Sequence, residues 1–429
     1  MLPVFEYEYV TYAELYDAYE DCRKHKWKTE NAAQFQVRLA YNLYQLWVDL
    51  NRWTYNIGKS ISFLVDRPVI REVFAADFRD RIVHHLLINR IIVYYENRVI
   101  TNSFSCRVGK GTQYGIKTLA EDICRVSENY TKDAWVLKCD LKSFFMTINK
   151  KMLYNKVDEL IREDVYPNNE KHYQFSSWIA GLIINNCPQE GSIRKCPRKK
   201  WEKLPKDKSL YNAPSGYGLP IGNLTSQIFA NYYLDVLDKF IYNELGFTAY
   251  GRYVDDFYIV STNKEKLLNA IPKIKALLKT VEVNLHPKKI YLQHISCGVK
   301  FIGAVVKPNR TYIGKRTLGN FKHFLRKANA IYGGKEMSKR EITKFVASCN
   351  SYFGFMKHYN TYNIRKKLIK QGYFNGFQDK VYFDKTLNKI TPFKEYSVRN
   401  KGISYNDLIQ YPQDYSIDYK ILPNIVVLK

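Results

Sequence analysis

The sequence predicts an α+β protein, and three observations predict this class. The segment GRYVDDFYIV, residues 251–260, places two aspartates between two strand-like apolar runs. The segment AWVLKCD, residues 134–140, has the apolar content of a buried strand and ends in an aspartate. From residue 315 to residue 371 the periodicity is helical and basic, with a break at Gly333-Gly334. A small sheet with carboxylates at its edge should therefore be combined with a separate helical unit.

The composition points to an anionic partner. The 429 residues include 67 Lys and Arg against 41 Asp and Glu, which gives a formal net charge of +26. Aromatic residues make up 15% of the chain. Cations interleaved with aromatic rings suit phosphate neutralisation and base stacking, so nucleic acid is the first candidate. A membrane surface is the weaker alternative, because no apolar run reaches the length of a transmembrane helix.

The sequence favours a cytoplasmic protein. Its start, MLPVFEYEYV, contains acidic residues and lacks the basic and apolar order of a secretory signal. The eight cysteines are scattered and form no CxxC pair, which indicates reduced thiols and argues against zinc.

The first part of the chain alternates helices with a hairpin and a glycine-containing loop. Periodicity predicts helices within residues 1–55, a basic β-hairpin over residues 57–73 and a helix over residues 77–95. The loop SCRVGKGTQYG, residues 105–115, then combines glycines with two cations. It is either a phosphate-binding loop or an ordinary glycine-containing turn.

The central part predicts further helices around a basic stretch. Residues 189–208 are strongly basic and contain proline, which predicts an exposed loop. This loop is either a solvated linker or a contact for the nucleic-acid backbone. Helices are predicted over residues 151–165, 178–186 and 264–278. A further helix, preceded by a glycine turn, is predicted from about residue 223 to residue 238. A turn and a strand are predicted over residues 285–292, and one strand over residues 299–306.

The aspartates carry the chemistry. Asp255 and Asp256 lie at the predicted tip of a hairpin, either as a plain surface turn or as ligands of a hard divalent cation. Asp140, at the end of its strand, is either a helix N-cap or a further ligand. The three carboxylates can meet only if the two strands are neighbours in one sheet.

The order of these elements resembles the palm of reverse transcriptases. An aspartate after a core strand, a glycine turn before a helix, a Tyr-x-Asp-Asp hairpin, a basic turn and a Phe-Ile-Gly strand follow one another, and the resemblance covers about residues 57–371. It implies a right-hand polymerase fold of class α+β, with fingers, a palm of antiparallel sheet plus helices, and an all-helical thumb. The implied units are an N-terminal helical extension (1–55), fingers (56–133), a palm (134–310) with a basic insertion at about 187–212, a thumb (311–372) and a C-terminal tail (373–429).

The resemblance implies an RNA-directed DNA polymerase that uses two Mg²⁺ ions. Asp140 and Asp255 would bridge the ions, with Asp256 as the third carboxylate and the Leu141 carbonyl as a backbone ligand. Lys289, with Lys288 as its rival, matches the residue that protonates the leaving pyrophosphate.

Substrate contacts are implied position by position. Phe145 matches the aromatic gate that excludes a ribose 2′-hydroxyl, so the substrates should be dNTPs. The remaining nucleotide contacts would come from Arg71, from the backbone of Lys142, Ser143 and Phe144, and from Ile221, Gly222 and Gln227; template and primer contacts would come from Arg107, Lys110, Tyr253, Phe301 and Gly303.

One motif indicates a particular subgroup of reverse transcriptases. The turn reads LPIGNLTSQ over residues 219–227, with Ile221 where most reverse transcriptases have Gln and Gln227 where they have Pro. This pattern resembles the reverse transcriptases of diversity-generating retroelements of bacteria and their phages, and the nearby Trp201 fits it. The resemblance implies copying of a template-repeat RNA into cDNA with misincorporation opposite adenine, for mutagenic retrohoming into a variable region. A small basic accessory variability protein is the implied protein partner.

Three alternatives stay open. An accurate reverse transcriptase of the group II intron or retron type would carry Gln and Pro in place of Ile221 and Gln227. A defence-associated polymerase would keep the same carboxylates but not the Ser-Gln motif. A catalytically silent RNA-binding scaffold would be expected to lack at least one of the three aspartates.

Overall fold

A computed structural model of the chain describes residues 5–24, 29–65, 69–333 and 335–396. The last 33 positions of the predicted tail, 397–429, and Gly334 of the predicted helix break lie outside the described residues. Helices and sheets are mixed along the chain, which agrees with the predicted α+β class. Among the described helices, none is both long and apolar enough to cross a membrane.

The elements follow the predicted order. The helices are α1 (Tyr12–Arg23), α2 (Glu30–Val37), α3 (Leu39–Asn51), α4 (Phe78–Arg98), α5 (Thr112–Val126), α6 (Phe144–Thr147), α7 (Lys150–Leu160), α8 (Glu170–Asn185), α9 (Arg198–Trp201), α10 (Leu224–Tyr233), α11 (Asp235–Lys239), α12 (Lys264–Thr280), α13 (Lys315–Tyr332), α14 (Lys339–Met356) and α15 (Tyr362–Lys370). The strands are β1 (Ile61–Val65), β2 (Arg71–Ala75), β3 (Trp135–Asp140), β4 (Ile193–Arg194), β5 (Tyr250–Tyr253), β6 (Asp256–Ser261), β7 (Tyr291–His294), β8 (Val299–Phe301), β9 (Ala304–Lys307), β10 (Arg310–Ile313), β11 (Val381–Phe383) and β12 (Ile390–Pro392).

Helices α1 and α2 pack on the long helix α4. Helix α1 begins with a capping box, in which Thr11 and Glu14 satisfy each other's backbone amides. Its buried residues Leu15, Ala18 and Cys22 recur at helical spacing, so one face of α1 joins the core. The guanidinium of Arg90 on α4 donates to the Glu14 carboxylate at 3.1 Å, which connects the two helices at their exposed edge.

The central sheet has the strand order β5-β6-β3-β7, and all its neighbours are antiparallel. Strand β3 is central and its apolar side chains Val136, Leu137 and Cys139 are fully buried. Helices α5 and α12 both pack against β6. The predicted strand over residues 134–140 and the predicted hairpin over residues 251–260 are confirmed.

A buried ion pair anchors the hairpin from inside the protein. Arg252 and Asp238 have fully buried side chains, and the guanidinium donates to both carboxylate oxygens at 2.7 and 2.6 Å. The same guanidinium donates to the Val254 carbonyl at 2.9 Å and to the Asn231 carbonyl at 3.1 Å. Tyr250 donates its hydroxyl to Asp238 at 2.6 Å. One side chain therefore joins the β5–β6 turn to helices α10 and α11.

The prediction of a single strand over residues 299–306 is wrong. The structure has two antiparallel strands, β8 and β9, separated by Ile302 and Gly303. Both turn residues have positive φ, 45° and 84°, as in the two-residue turns that connect tight hairpins. Because Ile302 is β-branched and apolar, it gives no turn signal in the sequence.

The prediction of an exposed loop over residues 189–208 is confirmed for its exposure, but the segment also contains a short strand and anchoring contacts that the sequence did not predict. Within this basic insertion, β4 pairs in parallel with β1, so the sheet of the region predicted as fingers (the fingers sheet) has the order β2-β1-β4. The carboxylate of the buried Glu72 accepts hydrogen bonds from the Ser209 hydroxyl at 2.8 Å and from the Leu210 amide at 2.6 Å. These long-range contacts have no signature in a polar, proline-containing stretch.

The helical unit formed by α13, α14 and α15 continues beyond residue 372. Phe345 of α14 stacks on Phe377 with ring centroids 3.8 Å apart. The side chain of Asn350 exchanges two hydrogen bonds with the backbone of Ile390, at 2.9 and 2.8 Å. The β11–β12 hairpin thus shares the hydrophobic core of the three helices.

Replacing Arg252 with Met should lower the free energy of unfolding by about 3–5 kcal/mol, because Asp238 would keep a buried charge without its partner. Chemical denaturation measures the loss, and hydrogen exchange of the β5 and β6 amides should accelerate. The control is the double variant Arg252→Met/Asp238→Leu, which removes both charges and should recover part of the stability. Unchanged stability of the single variant would contradict the anchoring role of this pair.

Candidate active site

The hairpin tip is a two-residue turn. Tyr253 and Asp256 are the last register partners of β5 and β6, so Val254 and Asp255 form the connection. Val254 has a φ of 59°, a left-handed conformation that costs energy for a β-branched residue. The hydrogen bond from the Arg252 guanidinium to the Val254 carbonyl holds this conformation. The tip is therefore a rigid platform for Asp255 and Asp256.

Sheet register brings the third aspartate to the same edge. Asp140, the last residue of β3, is the direct register partner of Asp256, the first residue of β6. The Leu141 amide donates to the Asp255 carbonyl at 3.1 Å, which continues the connection beyond the strand. The two aspartate-bearing strands are neighbours, as the meeting of the three carboxylates requires.

Two lysines partly neutralise these carboxylates. The Lys289 ammonium lies 2.8 Å from Asp140, and the Lys138 ammonium lies 3.0 Å from Asp256. Lys289 was singled out in the sequence, whereas Lys138 was not. The signal that could have found Lys138 is strand alternation, since it lies two residues before Asp140 and shares its face of the sheet.

Burial perturbs the hairpin carboxylates. Burial raises the pKa of Asp256 to about 7, although the charge of Lys138 opposes the shift. Burial, followed by the negative charge of Asp140, also raises the pKa of Asp255. Oδ1 of Asp256 is buried and has no hydrogen-bond partner among the described residues. Such an oxygen is costly to leave alone, and a bound cation would satisfy it.

The carboxylate oxygens at this edge suit a hard divalent cation whose coordination is completed by other ligands. Within the described ranges, no three His, Cys, Asp or Glu side chains converge as a ready-made metal cage. Mg²⁺ rarely needs such a cage, because it commonly binds one or two carboxylates together with water and substrate phosphates. Three carboxylates at one sheet edge, with the unpartnered oxygen of Asp256, meet that requirement.

The loop after β3 lies next to this edge. Ser143 adopts the left-handed conformation, with φ 48° and ψ 37°, and its hydroxyl donates to the Asp207 carboxylate at 2.7 Å. The Lys142 amide already donates to the Asn284 carbonyl at 2.8 Å, while its side chain is exposed. Phe144 is buried in the core. A phosphate contact by this loop therefore has to use the remaining amides or the Lys142 ammonium.

Phe145 and Ile221 border the same small apolar cluster. Phe74, Met146 and Leu210 form its buried part, and both residues pack against it while staying partly exposed. The Phe74 amide also donates to the Ile221 carbonyl at 2.8 Å. The two residues predicted to select the nucleotide thus border one apolar cluster.

Gly222 and Gln227 have structural partners. Gly222 has a φ of 126°, and a Cβ there would lie 2.8 Å from the Phe74 carbonyl oxygen, so the turn needs glycine to approach β2. The Gln227 side chain accepts a hydrogen bond from the Cys106 thiol at 2.9 Å, which joins α10 to the glycine-containing loop. A nucleotide contact by either residue stays a prediction.

Arg71 is exposed at the start of β2 and faces the carboxylates. Burial raises the pKa of both Asp255 and Tyr253, and the positive charge of Arg71 is close enough to oppose both shifts. It can reach an anionic group bound over the hairpin tip, as a phosphate contact requires.

Arg107 and Lys110 are used inside their own loop. The Arg107 guanidinium is nearly buried, pairs with Glu96 at 2.6 Å and donates to the Ile100 carbonyl at 2.6 Å. The Lys110 ammonium donates to the Thr101 carbonyl, and burial lowers its pKa to about 8. Both cations stabilise the loop rather than meeting the carboxylates, and their template contacts stay predictions.

The Phe301–Gly303 segment divides into a core residue and a turn. Phe301 is buried, with its ring 5.2 Å from that of Tyr258 in an edge contact. Gly303 lies in the positive-φ turn and its carbonyl accepts a hydrogen bond from Gly314 at 2.9 Å. Only the turn can contact a ligand. Tyr253 is half-buried at the end of β5, beside the hairpin tip.

The chain is similar in sequence to known proteins. A family model described as reverse transcriptase (RNA-dependent DNA polymerase) matches residues 70–306, more than half of the chain, and this range contains all three aspartates. The chain is also similar to Protein YkfC of Escherichia coli (strain K12), with 21% identity over 320 residues that cover 66% of this chain and 76% of that protein.

Divalent cation binding should strengthen as the pH rises towards about 7, the raised pKa of Asp256. Below that pKa the carboxyl is protonated and a cation must displace the proton, so affinity should fall by up to about tenfold per pH unit. Calorimetric titration with Mn²⁺ at acidic and alkaline pH measures this dependence. Asp256→Asn is the control, because its binding should be weak and should lose the part of the pH dependence that Asp256 causes. Equal affinity of the native protein on both sides of the pKa would contradict the assignment.

Proposed function

Because the chain belongs to the reverse transcriptase (RNA-dependent DNA polymerase) family, we propose that it is the polymerase of a diversity-generating retroelement. It copies a template-repeat RNA into cDNA, misincorporates opposite template adenine and supplies the product for mutagenic retrohoming. The observation that carries the polymerase chemistry is the register of β3 and β6, which places Asp140 opposite Asp256. The Ile221 and Gln227 motif supports the mutagenic subtype.

Asp140 and Asp255 hold two Mg²⁺ ions in this proposal, with Asp256 and the Leu141 carbonyl as further ligands. When bound, the ions lower the pKa of the primer 3′-hydroxyl and neutralise the triphosphate. Lys138 and Lys289 reduce the electrostatic repulsion among the carboxylates when no ion is bound, since each lysine pairs with one aspartate. Lys289 lies at the edge where pyrophosphate leaves and supplies it with a proton.

Phe145 selects the sugar of the incoming nucleotide. Its ring is partly exposed at the border of the cluster formed by Phe74, Met146 and Leu210, and those neighbours limit its movement. An aromatic ring with restricted movement excludes the 2′-hydroxyl of a ribose by its bulk alone, so dNTPs are the substrates. Arg71 and the Lys142 ammonium meet the triphosphate, because both are exposed cations beside the carboxylate edge.

Ile221 loosens the selection of the base. It borders the same apolar cluster as Phe145, its side chain has neither hydrogen-bond donor nor acceptor, and its χ1 is stiff. A Gln in its place could form a hydrogen bond worth about 0.5–1.5 kcal/mol near the incoming nucleotide. That energy corresponds to roughly a twofold to tenfold change in selectivity. The A·T pair has fewer hydrogen bonds than the G·C pair. Base selection opposite template adenine should therefore be weakened most when the hydrogen bond of Gln is missing.

The partners in this proposal are the template-repeat RNA, its cDNA, dNTPs and a small basic accessory variability protein. The net charge of +26 supports the nucleic-acid partners, since each phosphate contact releases condensed counterions.

Replacing Asp255 with Ala should abolish primer extension on an RNA template with Mg²⁺, while RNA binding should change little, because the basic surface and not the carboxylate holds RNA. Gel-based extension and a filter-binding assay measure the two properties. Asp17→Ala is the matched control, since Asp17 is exposed on α1. Extension by the Asp255 variant at the native rate would refute the active-site assignment.

Replacing Ile221 with Gln should lower misincorporation opposite template adenine by roughly twofold to tenfold, with smaller effects at other bases. Sequencing of cDNA made by the two enzymes on one RNA measures the rates. Ile221→Leu keeps an apolar side chain and should leave the rates unchanged. If the native enzyme copies adenine accurately, the alternative of an accurate group II intron-like, retron-type or defence-associated enzyme is favoured instead.

A further inference from the structure

The basic insertion is a cationic stretch of the described chain that the proposed chemistry does not use. Residues 189–208 contain eight Lys and Arg against three Asp and Glu. Arg198, Lys199 and Lys203 are exposed, and the structure pairs none of these three with a carboxylate among the described residues. Their charge is therefore available to an external partner.

The insertion is anchored at both ends. At its start, β4 adds to the fingers sheet, and the Ser192 hydroxyl bonds the Ser62 hydroxyl at 3.1 Å and the Tyr211 hydroxyl at 2.7 Å. At its end, Glu72 accepts the Ser209 and Leu210 hydrogen bonds. Between the ends, the Arg194 guanidinium lies 3.8 Å from the centroid of the Tyr211 ring.

The anchoring requires the burial of a carboxylate, an energetic cost that a simple linker would not carry. Glu72 is almost fully buried, and burial raises its pKa although the Leu210 amide and the Ser209 hydroxyl oppose the shift. A buried carboxylate is stable only when such partners are present. The contacts fix the insertion relative to β2, so its exposed cations are presented in a defined place.

That place adjoins the nucleotide side of the active site. Asp207 of the insertion accepts the Ser143 hydroxyl at 2.7 Å, and Ser143 lies three residues after Asp140. Glu72 is next to Arg71, whose charge acts on Asp255. The insertion therefore extends from the nucleotide loop to β4, the edge strand of the fingers sheet.

We propose that the basic insertion binds the phosphate backbone of the single-stranded RNA template ahead of the active site. This inference rests on the proposed polymerase function. One triphosphate cannot use so many cations spread over residues 194–208, whereas successive phosphates of a strand can. The Tyr211 ring is covered by Arg194, and Trp201 makes an edge contact with Tyr211. Because these rings are occupied by contacts with each other and with Arg194, base stacking is not expected to contribute. Binding therefore depends on charge and is independent of the RNA sequence.

The test uses the full chain with the triple variant Arg198→Gln/Lys199→Gln/Lys203→Gln. The matched control is Lys264→Gln/Lys273→Gln/Lys279→Gln, which removes three exposed charges from α12. Binding is measured against salt on two primed RNA templates. One has a single-stranded overhang of about 16 nucleotides and the other has a single-nucleotide overhang. Thermal unfolding confirms that both variants fold.

On the long overhang the insertion variant should lose about 2 from the slope of log affinity against log salt, since each phosphate contact on a single strand contributes roughly 0.7. On the short overhang it should bind and extend like the native enzyme. An equal loss on both substrates, the same loss in the α12 control, or a raised KM for dNTP on the short substrate would overturn the proposal. Failure of the native enzyme to extend the short substrate would instead refute the polymerase function.

Discussion

The buried pair of Arg252 and Asp238 is the interaction on which the active-site edge depends. An uncompensated charge in a fully buried position would cost several kcal/mol, so the guanidinium has to be surrounded by acceptors. Those acceptors include Asp238, the Asn231 carbonyl and the Val254 carbonyl, which belong to α11, α10 and the hairpin turn. Satisfying one buried cation therefore sets the position of the turn that carries Asp255 and Asp256.

The same edge concentrates like charges that water no longer screens well. Asp140 and Asp256 face each other in register, and Lys289 and Lys138 each neutralise one of them. One Asp256 oxygen still lacks a partner among the described residues, and burial raises the pKa of this carboxyl to about 7. Loss of the Asp256 proton would therefore favour the binding of a cation at this edge.

The fingers and the palm are connected through close backbone contacts around β2. Gly222 lets the 219–227 turn approach the Phe74 carbonyl, and the Phe74 amide bonds the Ile221 carbonyl. Glu72, two residues earlier, holds the basic insertion. Strand β2 contacts both the turn and the insertion, and it begins with Arg71, whose charge acts on Asp255. Changes in any of these contacts should therefore reach the carboxylate edge.

The sequence by itself determined the α+β class, the strand ending in Asp140, the hairpin tip at Asp255 and Asp256, and the helices, because each rests on periodicity or turn chemistry within a few residues. Only the tertiary structure decided which charges meet. It placed Lys138 against Asp256, turned Arg107 inward to Glu96 and split residues 299–306 into two strands. It also made the basic insertion a third strand of the fingers sheet. These outcomes depend on register and on the burial of distant partners, and local residue patterns carry no information about either.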